Sequence, residues 1–189
     1  VIDEVGQLDI CVPNAGVVGS QGFSSRNDFT DGDWDATNAV NVRGLVNTAE
    51  AVLPHMRERG YGKIVNIASQ GGRAPRGPDV ILGRQIIPYL VSKAAAIQWT
   101  HVLAQDVGKH SINVNCICPG PIATELYKTA NPADDPRTIA SLATIPAGRI
   151  GPPEDTAQAA AFFLAEDSGF INGQTLYVCG ASSIGRVGV

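Results

Sequence analysis

At 189 residues, with 44% hydrophobic and 17% charged residues, the chain suits one globular domain with a sizeable core, which excludes a disordered protein. Its formal charge of −4, from 14 basic and 18 acidic residues, includes no basic run and no interleaving of aromatic residues with Lys and Arg, so neither nucleic acid nor a membrane surface is an expected partner. No apolar run approaches the roughly 20 residues of a membrane span and no signal-peptide pattern opens the chain, so a cytoplasmic location is the default expectation.

In chain order, Leu8-Asp9-Ile10-Cys11-Val12 is a short apolar run stopped by Pro13 and Asn14, which predicts a buried strand meeting a turn. After a polar loop, Thr30 or Asp31 can cap a long helix with apolar positions at Val40, Leu45, Ala49, Val52, Leu53 and Met56. Gly60 should stop it. Lys63 to Ala68 predicts a second buried strand, followed by a Gly- and Pro-rich loop from Gln70 to Ile87. An apolar, alanine-rich helix is expected from Pro88 to about Lys109, and a third strand over Ile112–Cys118 closed by Pro119-Gly120. The region from Pro121 to Pro152 is mixed, with turns at Asn131-Pro132 and Asp135-Pro136, and is expected to form a mobile substrate flap of short helices. Pro153 suits a first helical position for a helix over Glu154–Ala165, and Thr175–Cys179 supplies a last strand.

Strands alternating with helices predict a single α/β domain over 1–189, a doubly wound parallel sheet with right-handed crossovers. In such sheets ligands bind beyond the carboxyl ends of the strands. Asn14, Ser69 and Pro119-Gly120 each directly follow a predicted strand. The four cysteines lie in or at the ends of apolar runs and read as buried small hydrophobes, and the three histidines stand singly, so no metal site is expected.

Tyr89 and Lys93 lie four apart on the helix after Pro88, hence one turn apart on one face. A tyrosine titrates near 10, and a fixed positive charge a few ångströms away favours the phenolate, which makes Tyr89 a candidate general acid/base. The spacing by itself also suits a plain surface pair.

Taken together, Asn14-Ala15-Gly16 after a strand, Asn41-Val42 inside the next helix, Ser69 at a strand end, Tyr89 with Lys93, Pro119-Gly120-Pro121-Ile122-Ala123-Thr124, and the tail motifs Gly173-Gln174 and Val178-Cys179-Gly180 resemble the short-chain dehydrogenase/reductase family. The resemblance covers essentially the whole chain. It implies a Rossmann-like fold and hydride transfer between NAD or NADP and an alcohol/ketone substrate. Tyr89 would exchange the proton with the substrate oxygen, Lys93 would lower the tyrosine pKa and bond the nicotinamide ribose, and Ser69 would orient the substrate oxygen. Asn41 would hold a water linking Lys93 to solvent; an Asn within an apolar helix suits a local irregularity, though a plain exposed Asn fits as well. Cofactor contacts are implied at Asn14, Ala15, Gly16, Tyr89, Lys93, Pro119, Gly120, Ile122 and Thr124. Homo-oligomers, dimers or tetramers, are also implied, with the helices after Thr30 and Pro88 as the interface.

The chain departs from the family in carrying no Gly-x-x-x-Gly-x-Gly loop before Asn14, since only thirteen residues precede it. It therefore looks like the back portion of a longer enzyme, without the N-terminal nucleotide-binding strands and without the residue that selects NAD or NADP. Such a chain is expected not to fold stably and bind cofactor alone. Two other readings stay open: a nucleotide-retaining epimerase or dehydratase, and a truncated non-catalytic binding or regulatory relative. Between Ser69 and Tyr89, Arg73, Arg76 and Arg84 stand against the single acid Asp79, which suits solvated loop cations or contacts to an anionic substrate.

Overall fold

The computed structural model describes residues 2–19, 30–73, 87–131 and 133–184. A short helix α1 (Ile2–Val5) precedes strand β1 (Ile10–Cys11). Helix α2 (Asp31–Asn38) opens on a reciprocal cap: Thr30 Oγ1 accepts from the Asp33 N–H at 3.3 Å, and Asp33 Oδ2 accepts from the Thr30 N–H at 3.0 Å. The apolar helix then breaks its rhythm. Ala39–Arg43 is a π-helical turn with Asn41 buried within it, before α3 (Gly44–Arg59) resumes and stops at Gly60, whose φ of 64° is the left-handed conformation that ends helices.

Strand β2 (Gly62–Ile67) leads into a single 3₁₀ turn, Gln70–Gly72. Helix α4 (Ile87–Val107) closes in a second 3₁₀ turn, Gly108–His110, and delivers strand β3 (Ile112–Pro119). Two short helices, α5 (Glu125–Ala130) and α6 (Pro136–Leu142), occupy the mixed region, and α7 (Pro153–Leu164) and β4 (Thr175–Val178) follow. The strands form one sheet in the order β1-β2-β3-β4, every pair parallel, with Ile64 beside Val114 and Cys118 beside Tyr177.

Helices cover both faces of the sheet. On one, Val52, Leu53 and Met56 of α3 and Leu103 and Val107 of α4 pack on Ile64, Ile112 and Val114. On the other, Ala159 and Phe163 of α7 pack on Val65 and Ile117. Because β2 and β3 are buried on both faces, they read as continuous apolar runs instead of alternating ones. The packing leaves little slack: a Cβ on Gly62 would lie 2.5 Å from Met56 Sδ. Burying a methionine of this kind contributes about 1.5–3 kcal/mol.

Strand β1 departs from the sequence expectation. Only Ile10 and Cys11 pair, where Leu8–Val12 predicts a buried strand, and Ile10 and Val12 are 49% and 40% exposed. Among the described residues β1 has a neighbour on one side only, and Pro13 has no N–H with which to extend the ladder. The other elements end within two residues of their predicted bounds.

Cys116, Cys118 and Cys179 are buried, Cys11 is partly so, and all four are free thiols. Among the described residues there is no group of three or more metal-ligating side chains and no helix long and apolar enough to cross a membrane.

Candidate active site

The carboxyl ends of β1, β2 and β3 arrive together at one edge of the sheet. The Ile67 N–H donates to the Pro13 carbonyl at 3.4 Å and the Ala68 N–H to the Ile117 carbonyl at 2.8 Å, so Asn14, Ser69 and Gly120 leave the sheet on neighbouring strands. The first two turns of helix α4 come down beside this edge, where Lys93 reaches the Ile67 carbonyl.

Tyr89 and Lys93 stand one turn apart on α4, with Lys93 Nζ 5.6 Å from the centre of the Tyr89 ring. The lysine is 5% exposed, and its ammonium donates to the Ile67 carbonyl at 2.8 Å. Burial pushes its pKa down to about 8, with the neighbouring Cys116 and Cys118 thiols acting in the opposite direction. An ammonium carries three donors, and Ile67 takes one of them.

The approach of the serine turn to α4 depends on Gly72. A Cβ there would lie 2.7 Å from the Lys93 carbonyl carbon and 2.8 Å from the Ala94 nitrogen, both backbone atoms that cannot swing aside. The 3₁₀ turn after β2 therefore rests directly on the helical turn that carries the lysine. Ser69 caps it, Oγ accepting from the Gly71 N–H at 3.1 Å, which leaves the hydroxyl proton available to an outside acceptor.

Asn41 is buried in the π-turn, where its side chain ties two segments together. Its Oδ1 accepts from the Val17 N–H at 2.8 Å, and its Nδ2 donates to the Val17 carbonyl at 2.9 Å and to Ser92 Oγ at 3.0 Å. Ser92 Oγ donates in turn to the Tyr89 carbonyl at 2.7 Å. Both amide hydrogens are thus taken, and a water can reach this side chain only at the remaining lone pair of Oδ1.

Asn14, Ala15 and Gly16 are exposed. A Cβ on Gly16 would lie 3.3 Å from Lys93 Nζ and 3.6 Å from Asn41 Oδ1, so this turn passes over the lysine with no side chain between them. Gly120 is held by its N–H to the Val178 carbonyl at 2.8 Å, and Ile122, 8% exposed, bridges Gly151. Exposed Thr124 caps α5, its Oγ1 accepting from the Tyr127 N–H at 3.2 Å. Arg73 stacks over the Tyr177 ring at 5.1 Å, whereas Arg76 and Arg84 lie outside the described residues.

The structure therefore brings Asn41, Tyr89, Lys93 and Gly16 into one cluster, and sets Ser69 on a turn in contact with it. Sequence reasoning passed over Gly72 and Ser92. Their signals were present: a Gly-Gly pair beginning two residues after Ser69, and a hydroxyl three residues beyond Tyr89.

Residues 1–181 match the family described as enoyl-(acyl carrier protein) reductase. The chain belongs to the short-chain dehydrogenase/reductase family. It is 37% identical over 183 residues to the (2S)-[(R)-hydroxy(phenyl)methyl]succinyl-CoA dehydrogenase subunit BbsD of Thauera aromatica, covering 97% of this chain and 68% of that protein. It is 34% identical to the acetoacetyl-CoA reductase of Cupriavidus necator, covering 98% of this chain and 70% of the relative. Among solved structures, a gluconate 5-dehydrogenase from Burkholderia cenocepacia, in complex with NADP and tartrate, superposes with a TM-score of 0.85 at 34% identity, covering 97% of this chain and 68% of that one. Family membership makes the doubly wound sheet a Rossmann-like fold, and the clustered residues sit at the carboxyl ends of its strands, the side on which open sheets of this class bind ligands.

Proposed function

We propose that this short-chain dehydrogenase/reductase interconverts an alcohol and a ketone with NAD or NADP, Tyr89 serving as general acid/base. The observation that carries the reading is the buried ammonium of Lys93, 5.6 Å from the Tyr89 ring and fixed against the strand end that leads to Ser69. Named relatives that reduce acetoacetyl-CoA or oxidise gluconate support the reaction class.

The residues fit the nicotinamide end of a dinucleotide. Gly16 crosses so close to Lys93 Nζ that a side chain there would meet the ammonium, so a bare backbone turn and the two remaining ammonium donors lie side by side at the strand ends. Asn14, Ala15 and Gly16 would hold the ribose side, with Lys93 bonding its hydroxyls, while Pro119, Gly120, Ile122 and Thr124 would border the carboxamide. When bound, the nicotinamide supplies or accepts the hydride. Tyr89 gives its proton to the substrate oxygen in reduction and takes it back in oxidation. Ser69 donates its hydroxyl proton to the same oxygen and stabilises the charge that develops there. Asn41 holds the turn at Val17 and the Tyr89–Ser92 turn of α4 in fixed relation, with a water at Oδ1 linking Lys93 outward.

Residues 1–189 are read as one unit, with 121–152 as the substrate cover. Its ends are joined: the Gly151 N–H donates to the Pro121 carbonyl at 3.0 Å and the Ala123 N–H to the Gly151 carbonyl at 2.9 Å. No Gly-x-x-x-Gly-x-Gly run precedes Asn14, so the pyrophosphate is assigned to no residue of this chain and the choice between NAD and NADP is left open. A homo-oligomer, built on the helices after Thr30 and Pro88, is part of the same reading by resemblance to the family.

The test is a screen of small secondary alcohols and ketones with NADH, NADPH and their oxidised forms, followed by nicotinamide absorbance. Net cofactor turnover that stops in Tyr89→Phe is the expected result. Substrate isomerisation or dehydration without net cofactor turnover would replace this reading with the epimerase or dehydratase class.

A further inference from the structure

Three segments of the chain meet at the side chain of Gln70, the residue after Ser69. Gln70 is 7% exposed, and its Oε1 accepts from Ser182 Oγ at 2.6 Å. Ser182 belongs to the turn that follows β4, where its Oγ also faces the Cys179 carbonyl at 2.8 Å and its N–H donates to that carbonyl at 3.0 Å. Two successive left-handed residues shape this turn, Gly180 at φ 57° and Ala181 at φ 66°. An alanine in that region is unfavourable and persists only where its surroundings hold it there.

The other segment is the loop at Gly120. A Cβ on Gly120 would lie 2.7 Å from Cys179 Cα and 3.1 Å from Gln70 Oε1, so the loop passes between the strand end and the glutamine with no room for a side chain. The turn also reaches the end of the 121–152 segment: the Ala147 N–H donates to the Gly180 carbonyl at 3.1 Å.

We propose that the Ser182–Gln70 hydrogen bond is a latch that fixes the Ser69 hydroxyl, making Gln70 and Ser182 positioning residues for the reaction. The path is short. With the Gln70 side chain held, the 3₁₀ turn is held at Gln70, whose carbonyl accepts from the Arg73 N–H at 3.1 Å, and at Ser69, whose carbonyl accepts from the Gly72 N–H at 3.0 Å. Within that turn the Gly71 N–H points at Ser69 Oγ. Freed from Ser182, the turn keeps its contact with α4 at Gly72 and the Arg73 guanidinium over the Tyr177 ring of β4, but loses its tie to the turn after β4, and the Ser69 hydroxyl is less closely confined. The catalytic half of this inference rests on Ser69 orienting the substrate oxygen, as argued above; the mechanical half does not.

The experiment compares wild type, Ser182→Ala and the control Ser183→Ala, whose hydroxyl faces Cys179 Sγ at 3.1 Å and takes no part in the latch. Hydrogen exchange of the Gly71 amide is the first readout, with thermal melts to establish that each variant is folded. Exchange about tenfold faster in Ser182→Ala, and at the wild-type rate in Ser183→Ala, is expected. Unchanged exchange in Ser182→Ala overturns the latch, whether or not a substrate has been found. In kinetics, Ser182→Ala is expected to lower kcat by about 10- to 100-fold. In a Ser69→Ala background the same change should have little further effect. Full additive losses in that cycle would overturn positioning through Ser69. Faster exchange in a chain that transfers no hydride would support the latch and count against the oxidoreductase reading.

Discussion

The ammonium of Lys93 donates to the carbonyl of Ile67 across 2.8 Å, joining the middle of α4 to the end of β2. This bond places a cation in a site where burial pushes its pKa down to about 8 from an ordinary value of 10.5. The sign of the consequence for stability follows. Between those two values the unfolded chain keeps the proton and the folded chain releases it, so stability rises with pH across the window. Relative to Lys93→Met, which lacks the group, wild type is expected to gain on the order of 3 kcal/mol from pH 8 to 10.5. Urea unfolding of both proteins across this range measures the difference, which includes the response of the Cys116 and Cys118 thiols that face the same ammonium. Parallel curves would show that Lys93 keeps an ordinary pKa.

Replacing the phenol tests the proton-transfer role most directly. Tyr89→Phe leaves the ring beside Lys93 and removes only the exchangeable proton, so kcat should fall by about 10²- to 10⁴-fold with cofactor affinity little changed. Ser69→Ala, which would remove one proposed donor to the substrate oxygen, should cost about 10²-fold. In the function proposed above the same ammonium serves the ribose and the tyrosine, so Lys93→Met should weaken cofactor binding and kcat together. Titration of nicotinamide fluorescence separates binding from turnover. A Tyr89→Phe enzyme within threefold of wild type would remove Tyr89 from the chemistry.

Much of this arrangement was legible in the sequence because helical spacing and strand ends are local properties. Four residues of separation put Tyr89 and Lys93 on one face, and each of Asn14, Ser69 and Gly120 was marked by the apolar run before it. Thr30 was readable as a cap and Gly60 as a stop for the same reason. The contacts between elements were not legible. That Asn41 reaches Ser92 across 51 positions, or that Gly72 touches the backbone of Lys93, depends on how α4 settles on the sheet. The burial of β1 was misjudged because Ile10 and Val12 are apolar whether or not a second strand flanks them.

The contact at Gly72 can be tested by adding one methyl group. Gly72→Ala would place a Cβ 2.7 Å from the carbonyl carbon of Lys93, and neither backbone can yield without separating the serine turn from α4. Overpacking of this kind costs about 1–3 kcal/mol. Gly32→Ala, in the exposed first turn of α2 with only Thr30 Oγ1 at 3.7 Å, should instead stabilise by about 0.5–1 kcal/mol through helix propensity. Denaturant midpoints give both values. Kinetics should show kcat reduced in Gly72→Ala and unchanged in Gly32→Ala. Equal stability in the two variants would mean that the serine turn does not rest on the helix.

The 189-residue polypeptide should hold a dinucleotide only by its nicotinamide end. It offers the bare backbone turn at Gly16 and the donors of Lys93, but between Val1 and Asn14 there is no glycine-rich turn leading into a helix where a pyrophosphate can be received. At the β1 edge Ile10 and Val12 are 49% and 40% exposed. An open strand flank with apolar side chains favours association between copies. Fluorescence titration of this polypeptide with NADH and NADPH is therefore expected to give a Kd weaker than about 0.1 mM, well short of what a fully gripped dinucleotide attains. Light scattering should show concentration-dependent association, reduced by Ile10→Lys on the exposed strand. Micromolar or tighter binding by a monomeric 189-residue polypeptide would mean that the residues after Val1 contain a complete dinucleotide site, and that the pyrophosphate is received by a turn other than the family's glycine-rich loop.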